Sequence, residues 1–255
     1  MCLSVFAYKT VPDYPFIFAA NRDEFYSRPA QPATFWYDYP NLLAGRDLKA
    51  GGTWMGITED NRFASLTNYR DINNIKENAP SRGKIVEEFL TTDSDPLEFL
   101  KELKKEAHLY NGFNLIAGTT EKLWYFSNQI DVITEVKPGF HSLSNAFLNT
   151  SRPKTDKALS EFTSIINENE SEKIDERAIF DLLKNDERYP DDQLLSTGLS
   201  IEMERIVSSI FISSENYGTR CSTLIYQDRS GLVTFDERTY DPIKGDVEVK
   251  ARYKF

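Results

Sequence analysis

The sequence predicts a layered α+β protein. Three observations carry that class: short apolar runs bounded by turn formers in the first half, two stretches of helical periodicity that follow start signals, and a return to apolar runs after two further helical stretches. Helices would cover sheets whose alternating residues pack inward. With 255 residues and no composition break that reads as a linker, one domain over 1–255 is the expected organisation.

The elements follow in order. Residues 2–8 and 16–20 are apolar runs joined by Lys9-Thr10-Val11-Pro12-Asp13-Tyr14-Pro15, a connection rich in turn formers, and they read as a β-hairpin. Asn21-Arg22-Asp23-Glu24 follows directly, so two acids and an arginine are expected at the end of the second strand. Further strands are expected at 54–58, 63–67, 113–117 and 123–126, with Asn61 as a turn residue between the first two. Ile85, Val86, Phe89 and Leu90 share one helical face after Ser81-Arg82-Gly83-Lys84. Leu97, Leu100, Leu103 and Ala107 repeat at helical spacing after the start signal Asp95-Pro96. Helices at 153–166 and 176–184 precede strands near 206–212, 221–226 and 232–235.

Composition excludes several functions. The 40 acidic residues against 30 basic ones give a net charge of -10, which lacks the cationic excess of a phosphate-backbone binder, so no nucleic acid partner is expected. No run reaches 18 apolar residues and no basic-apolar leader opens the chain, so no membrane span is expected and the cytoplasm is the expected compartment. Two cysteines, Cys2 and Cys221, and two histidines, His108 and His141, are too few for a disulfide framework or a soft metal site. No metal and no obligatory cofactor is expected.

Cys2 is the residue that points to chemistry. Removal of Met1 would leave it with a thiol and a free α-amine together, a nucleophile and its own base. An α-amine of pKa about 7.7 to 8.0 accepts a proton near neutrality. Against this stands the fact that position two tolerates almost any small residue. Gly45 and Gly51-Gly52-Thr53-Trp54-Met55-Gly56 bring glycines beside a bulky aromatic, either as a ligand-facing turn or as a tight turn packed under Trp54. Asn114 in Asn111-Gly112-Phe113-Asn114 and Asn145 in Leu143-Ser144-Asn145-Ala146 are amides able to donate to an oxyanion or to satisfy a turn. Tyr217-Gly218-Thr219-Arg220-Cys221-Ser222-Thr223 delivers an arginine, a thiol and hydroxyls at a strand start, where Arg220 would hold a carboxylate or form a structural ion pair.

Met1-Cys2-Leu3, Ala20-Asn21-Arg22-Asp23-Glu24, Gly51-Gly52-Thr53-Trp54-Met55-Gly56, Asn111-Gly112-Phe113-Asn114-Leu115, Leu143-Ser144-Asn145 and Gly218-Thr219-Arg220-Cys221-Ser222-Thr223 together resemble the NRDE family, also called the transport and Golgi organisation 2 family. The resemblance spans nearly the whole chain and implies a four-layer αββα fold like that of the N-terminal nucleophile hydrolases. A more distant similarity, to cysteine acylases such as penicillin V acylase and bile salt hydrolase, implies catalytic roles. In it Cys2 is the nucleophile, Asp23 the carboxylate that holds its α-amine, Asn145 an oxyanion donor, and Arg220 the late-strand arginine. Asn21, Arg22, Trp54 and Asn114 are the candidate substrate-binding residues. One departure stands out. Those enzymes carry an arginine three residues before the aspartate, where this chain has Ala20, and Arg22 either reaches the same space or points to the other face.

The expected function is hydrolysis of a non-peptide amide or thioester of a small acyl substrate. The alternative is a carrier of a hydrophobic ligand such as haem or acyl-CoA, or a structural role in the secretory pathway. For haem, Cys2, His108 and His141 are the candidate axial ligands and Trp36, Trp54 and Trp124 the candidate cleft residues.

Overall fold

The computed structural model describes residues 2–168, 173–195, 197–242 and 244–255. Met1, and with it the expected processing step, lies outside the described residues. In chain order the elements are β1 (Cys2–Tyr8), β2 (Phe16–Phe25), β3 (Ala30–Phe35), β4 (Leu42–Asp47), β5 (Met55–Thr58), β6 (Arg62–Asn68), α1 (Gly83–Thr91), α2 (Pro96–Glu106), β7 (Phe113–Thr119) and β8 (Lys122–Ser127). They continue with β9 (Val132–Glu135), β10 (Gly139–Leu143), α3 (Pro153–Glu168), α4 (Glu176–Leu183), α5 (Ile201–Val207), β11 (Tyr217–Gln227), β12 (Val233–Tyr240) and β13 (Val247–Lys254). The chain forms two compact units. One holds Met1–Ser27, Pro138–Ser144 and Leu148–Phe255, the other Arg28–Lys137 and Asn145–Phe147.

The first unit is a six-stranded antiparallel sheet in the order β10-β1-β2-β11-β12-β13. Alternation sorts its side chains. Leu3, Val5, Ala7, Ile17, Ala19 and Leu224 point to a face that α3 and α4 cover with Ala158, Phe162, Ile179, Phe180 and Leu182. The opposite face carries Cys2, Ser4 and Phe6 of β1 and Phe16, Phe18 and Arg22 of β2. There Phe6 stacks on Phe18 at 5.4 Å between centroids.

The second unit is a seven-stranded antiparallel sheet in the order β3-β4-β5-β6-β7-β8-β9. Ile85, Val86, Phe89 and Leu90 of α1 pack with Leu100 of α2 on Ala64, Leu66, Leu115, Ala117 and Phe126 of the sheet. The start signal read at Asp95 is a true cap: its carboxylate accepts from the amides of Leu97 and Glu98, with Pro96 in the first turn. Each unit thus supplies a sheet and a helical layer, the two sheets and two helical layers of the expected αββα class.

Two expectations need correction. Asn21-Arg22-Asp23-Glu24 does not follow the second strand but lies within it, because β2 continues to Phe25 with β11 paired along its whole length. The stretch 206–212 is not a strand. Helix α5 runs through Val207, opened by Ser200, whose hydroxyl accepts from the Met203 amide, and Met203, Ile206 and Val207 pack at helical spacing on Ile212 and Tyr217. Strands β3, β4, β9, β10 and β13 carry weak apolar patterns and were not expected.

Candidate active site

The site begins as a row across the first sheet. Cys2 lies opposite Arg22, Arg22 opposite Cys221, and Cys221 opposite Thr239. Residues directly opposite in antiparallel strands project to the same face, so the register places Arg22 on the side of Cys2 rather than behind it. Cys2 and Cys221 are separated by a whole strand, roughly 9 to 10 Å from the usual strand spacing. That is beyond the reach of a disulfide, and both are free thiols.

Cys2 is half-buried at the start of β1. Its carbonyl accepts from the Ser144 hydroxyl at 3.1 Å, and its sulfur accepts from the backbone amide of Asp23. Burial pushes the thiol above its ordinary value, and the Asp23 carboxylate adds to that shift. The Asp23 amide and the Arg22 cation pull in the opposite direction without overcoming it.

Asp23 is buried on β2, 2% exposed, and its Oδ1 accepts from the Thr219 hydroxyl at 2.7 Å. Thr219 in turn accepts from the Ile212 amide at 2.9 Å, and that second bond commits its single proton to Asp23. Burial raises the Asp23 carboxyl above its usual range, while Lys154, Thr219 and Arg22 act to lower it.

Arg220 is the extra residue of a β-bulge, since β11 slips register against β2 between Thr219 and Cys221. The bulge turns its guanidinium toward the end of β2, where it donates to the carbonyls of Phe25 at 3.3 Å and Tyr26 at 3.1 Å. Burial and the like charge of Arg22 lower its pKa. Neighbouring Gly218 is required because a Cβ there would collide with the Tyr26 hydroxyl and the Ile212 carbonyl.

Asn21 lies on the helix-covered face. Its amide donates to the carbonyls of Leu183 at 2.8 Å and Ile210 at 3.0 Å, and its oxygen accepts from Ser222, which accepts from Tyr240. Strand alternation therefore parts Asn21 from Cys2, and its amide ties the sheet to the helical layer.

The remaining candidates belong to the second unit. Asn145 donates to the Asn68 carbonyl at 2.8 Å and its own carbonyl accepts from the Arg70 amide. Asn114 donates to the Ala146 carbonyl at 2.9 Å and to Thr67, and accepts from Tyr125. Trp54 packs over Gly45, where an added Cβ would overlap the indole. Gly45 lies within β4, and its missing side chain leaves room for that ring. Of the haem candidates, His141 is buried, stacks on Phe6 at 4.9 Å and bonds Asn149, whereas His108 is exposed on a short 3₁₀ turn in the second unit.

Sequence reasoning missed three groups around the Cys2 row. Glu237, 1% exposed, accepts from Thr223 at 3.1 Å and from the Cys221 thiol, which burial and this carboxylate push well above its ordinary value. Lys154 acts on Asp23 from α3, and Thr219 fixes the carboxylate. Glu237 was legible as an acid in the apolar phase of Val233, Phe235 and Glu237. Lys154 had no sequence signal.

The chain is 37% identical over 258 residues to the Transport and Golgi organization protein 2 homolog of Homo sapiens, covering 94% of this chain and 93% of that protein. It is 38% identical over 258 residues to the homolog of Bos taurus, with the same coverage. Among solved structures, it is similar to the Caenorhabditis elegans N-acylethanolamine-hydrolyzing acid amidase ortholog, with a TM-score of 0.48 and 10% identity over 88% of this chain and 92% of that one. Penicillin V acylase from Agrobacterium tumefaciens gives a TM-score of 0.45 and 13% identity over 99% of this chain and 90% of that one. At such identities neither enzyme's chemistry transfers to this chain. The family model for Transport and Golgi organisation 2 matches residues 1–242, and the chain belongs to that family.

Proposed function

We propose that this protein is a cysteine hydrolase of the N-terminal nucleophile type, cleaving a non-peptide amide or thioester bond of a small acyl substrate. The observation that carries the reading is the meeting of Cys2, Arg22 and Asp23: a thiol opposite a cation, with the Asp23 amide on its sulfur and its carboxylate fixed by Thr219.

Removal of Met1 would put the α-amine on Cys2. The thiol proton then passes to that amine, and the sulfur attacks the substrate carbonyl carbon to form a tetrahedral intermediate. The ammonium returns the proton to the departing amine or thiolate, leaving an acyl-thioester on Cys2. Water, deprotonated by the same amine, attacks this thioester, releases the carboxylic acid and regenerates the thiol. Asp23 holds the amine when it is charged, Arg22 favours the thiolate, and Arg220 anchors the strand end that carries both.

Burial keeps the Cys2 thiol protonated before processing, so activation is expected only once the α-amine is free. Intact mass measured before and after a brief exposure to limiting iodoacetamide, with peptide mapping, tests this. Loss of Met1 and selective labelling of Cys2 over Cys221 is the expected result. A retained Met1, a Cys2 that labels no faster than a free thiol, or unchanged acyl-amide and thioester hydrolysis in Cys2→Ala would each overturn the reading.

A further inference from the structure

α4 and the β12–β13 edge of the first sheet carry charge in rows. Glu176, Phe180 and Lys184 follow one another at four-residue spacing along α4, and Asp236, Arg238 and Tyr240 at two-residue spacing along one face of β12. In the first row Arg252 of β13 bonds both Glu176, at 2.6 Å, and Asp236, at 2.7 Å, and Tyr226 donates to Glu176. This row is compensated by neighbouring charge.

The next rows are not. Arg238 lies over the Phe180 ring, 3.5 Å from guanidinium carbon to centroid, and directly opposite Lys250 of β13. One helical turn further, Lys184 stands over the Tyr240 ring at 5.9 Å. Among the described residues no carboxylate or carbonyl pairs with the guanidinium of Arg238 or the ammonium groups of Lys184 and Lys250, and the Arg238 Nε is shielded from solvent without a partner.

In a chain with ten more acids than bases, three neighbouring cations without an acid demand an explanation. The α4 C-terminus offers about half a negative charge and answers for one of them. A shielded donor held unsatisfied carries the cost of its desolvation without return. Arginine held over an aromatic ring is a preorganised planar donor for a tetrahedral oxyanion, and two flexible ammonium groups on the neighbouring rows suit a dianion better than a carboxylate.

We infer that Arg238, Lys184 and Lys250 form a binding site for a phosphate monoester group, separate from the Cys2 row because Arg238 projects to the helix-covered face of the sheet. The group belongs either to a small soluble molecule or to a lipid head.

The test uses the full-length protein at low ionic strength. Inorganic phosphate is titrated by ¹⁵N chemical-shift perturbation against chloride at matched ionic strength, and sedimentation is measured with phosphatidylcholine vesicles with and without phosphatidic acid. Saturable shifts at Arg238, Lys184 and Lys250 are expected, with at least tenfold weaker binding in Arg238→Gln/Lys184→Gln. Lys250→Gln, on an exposed edge strand, is expected to weaken binding without disturbing packing. Lys101→Gln/Lys105→Gln removes equal charge from α2 and is expected to bind as the unaltered protein does. Binding to phosphatidic acid vesicles that the same Arg238 and Lys184 variants abolish supports the site with a lipid source, and soluble binding supports it with a free one. Absence of both, or equal losses in the Arg238/Lys184 and α2 variants, overturns it.

Discussion

Asp23 is ionisable, buried and bonded to the Thr219 hydroxyl, and its energetics set up a conflict between stability and function. Burial raises its folded pKa, so the folded protein binds this proton more tightly than the unfolded chain does. Its contribution to stability is therefore greatest below the ordinary aspartate value of about 3.9 and declines as pH climbs through the raised folded value. At neutral pH the ionised group is a cost. Asp23→Asn keeps an acceptor for Thr219, and the expected outcome is a higher Tm at pH 7, by about 2 to 4 °C for each kcal/mol gained, an advantage that shrinks toward pH 4. The same variant is expected to lose about 10²-fold or more in acyl hydrolysis. A Tm that falls at neutral pH in calorimetry would show that the carboxylate stabilises the fold. Thr219→Val removes the proton that Asp23 accepts and the oxygen that Ile212 donates to, and is expected to cost about 1 to 3 kcal/mol for each stranded group. Thr219→Ser restores both bonds, so urea midpoints that do not separate the two variants would mean the hydroxyl is idle.

At the scale of elements, β11 does two jobs through one irregularity. Its central part pairs with β2 and β12, while the bulge at Arg220 turns a guanidinium onto the end of β2 and leaves Thr219 opposite Asp23. Gly218 lets the strand pass close to Tyr26 and Ile212. Gly218→Ala is expected to cost roughly 1 to 3 kcal/mol by overpacking, and to broaden the Thr219 and Asp23 amide resonances with it. An unchanged denaturation midpoint would show that the bulge yields without strain. The bulge is also why the Gly-Thr-Arg-Cys stretch could not be sorted from sequence: a strict two-residue period assigns Thr219 and Cys221 to one face, and the slipped register breaks that rule.

For the molecule as a whole, the net charge of -10 opposes the cations gathered near Cys2. Long-range repulsion is screened as the Debye length falls from about 30 Å at 0.01 M salt to about 3 Å at 1 M, whereas Arg22 acts at close range on a half-buried thiol. The rate of Cys2 alkylation by iodoacetate relative to neutral iodoacetamide is therefore expected to rise with salt. A ratio that falls would show that the local arginines govern access. The sequence by itself determined the α+β class, the four main helices with the Asp95 start, the opening hairpin and the family, because periodicity, capping and ordered motifs are local properties. It also brought Cys2, Asp23 and Arg220 forward as candidates. Only tertiary structure decided that Arg22 shares the face of Cys2, that Asn21 does not, that Thr219 holds Asp23 and Glu237 the Cys221 thiol, and that a helix runs through Val207. Those are matters of register between strands distant in sequence and of helix packing, and a residue's partner across a sheet is set by hydrogen-bond pairing that no local pattern encodes.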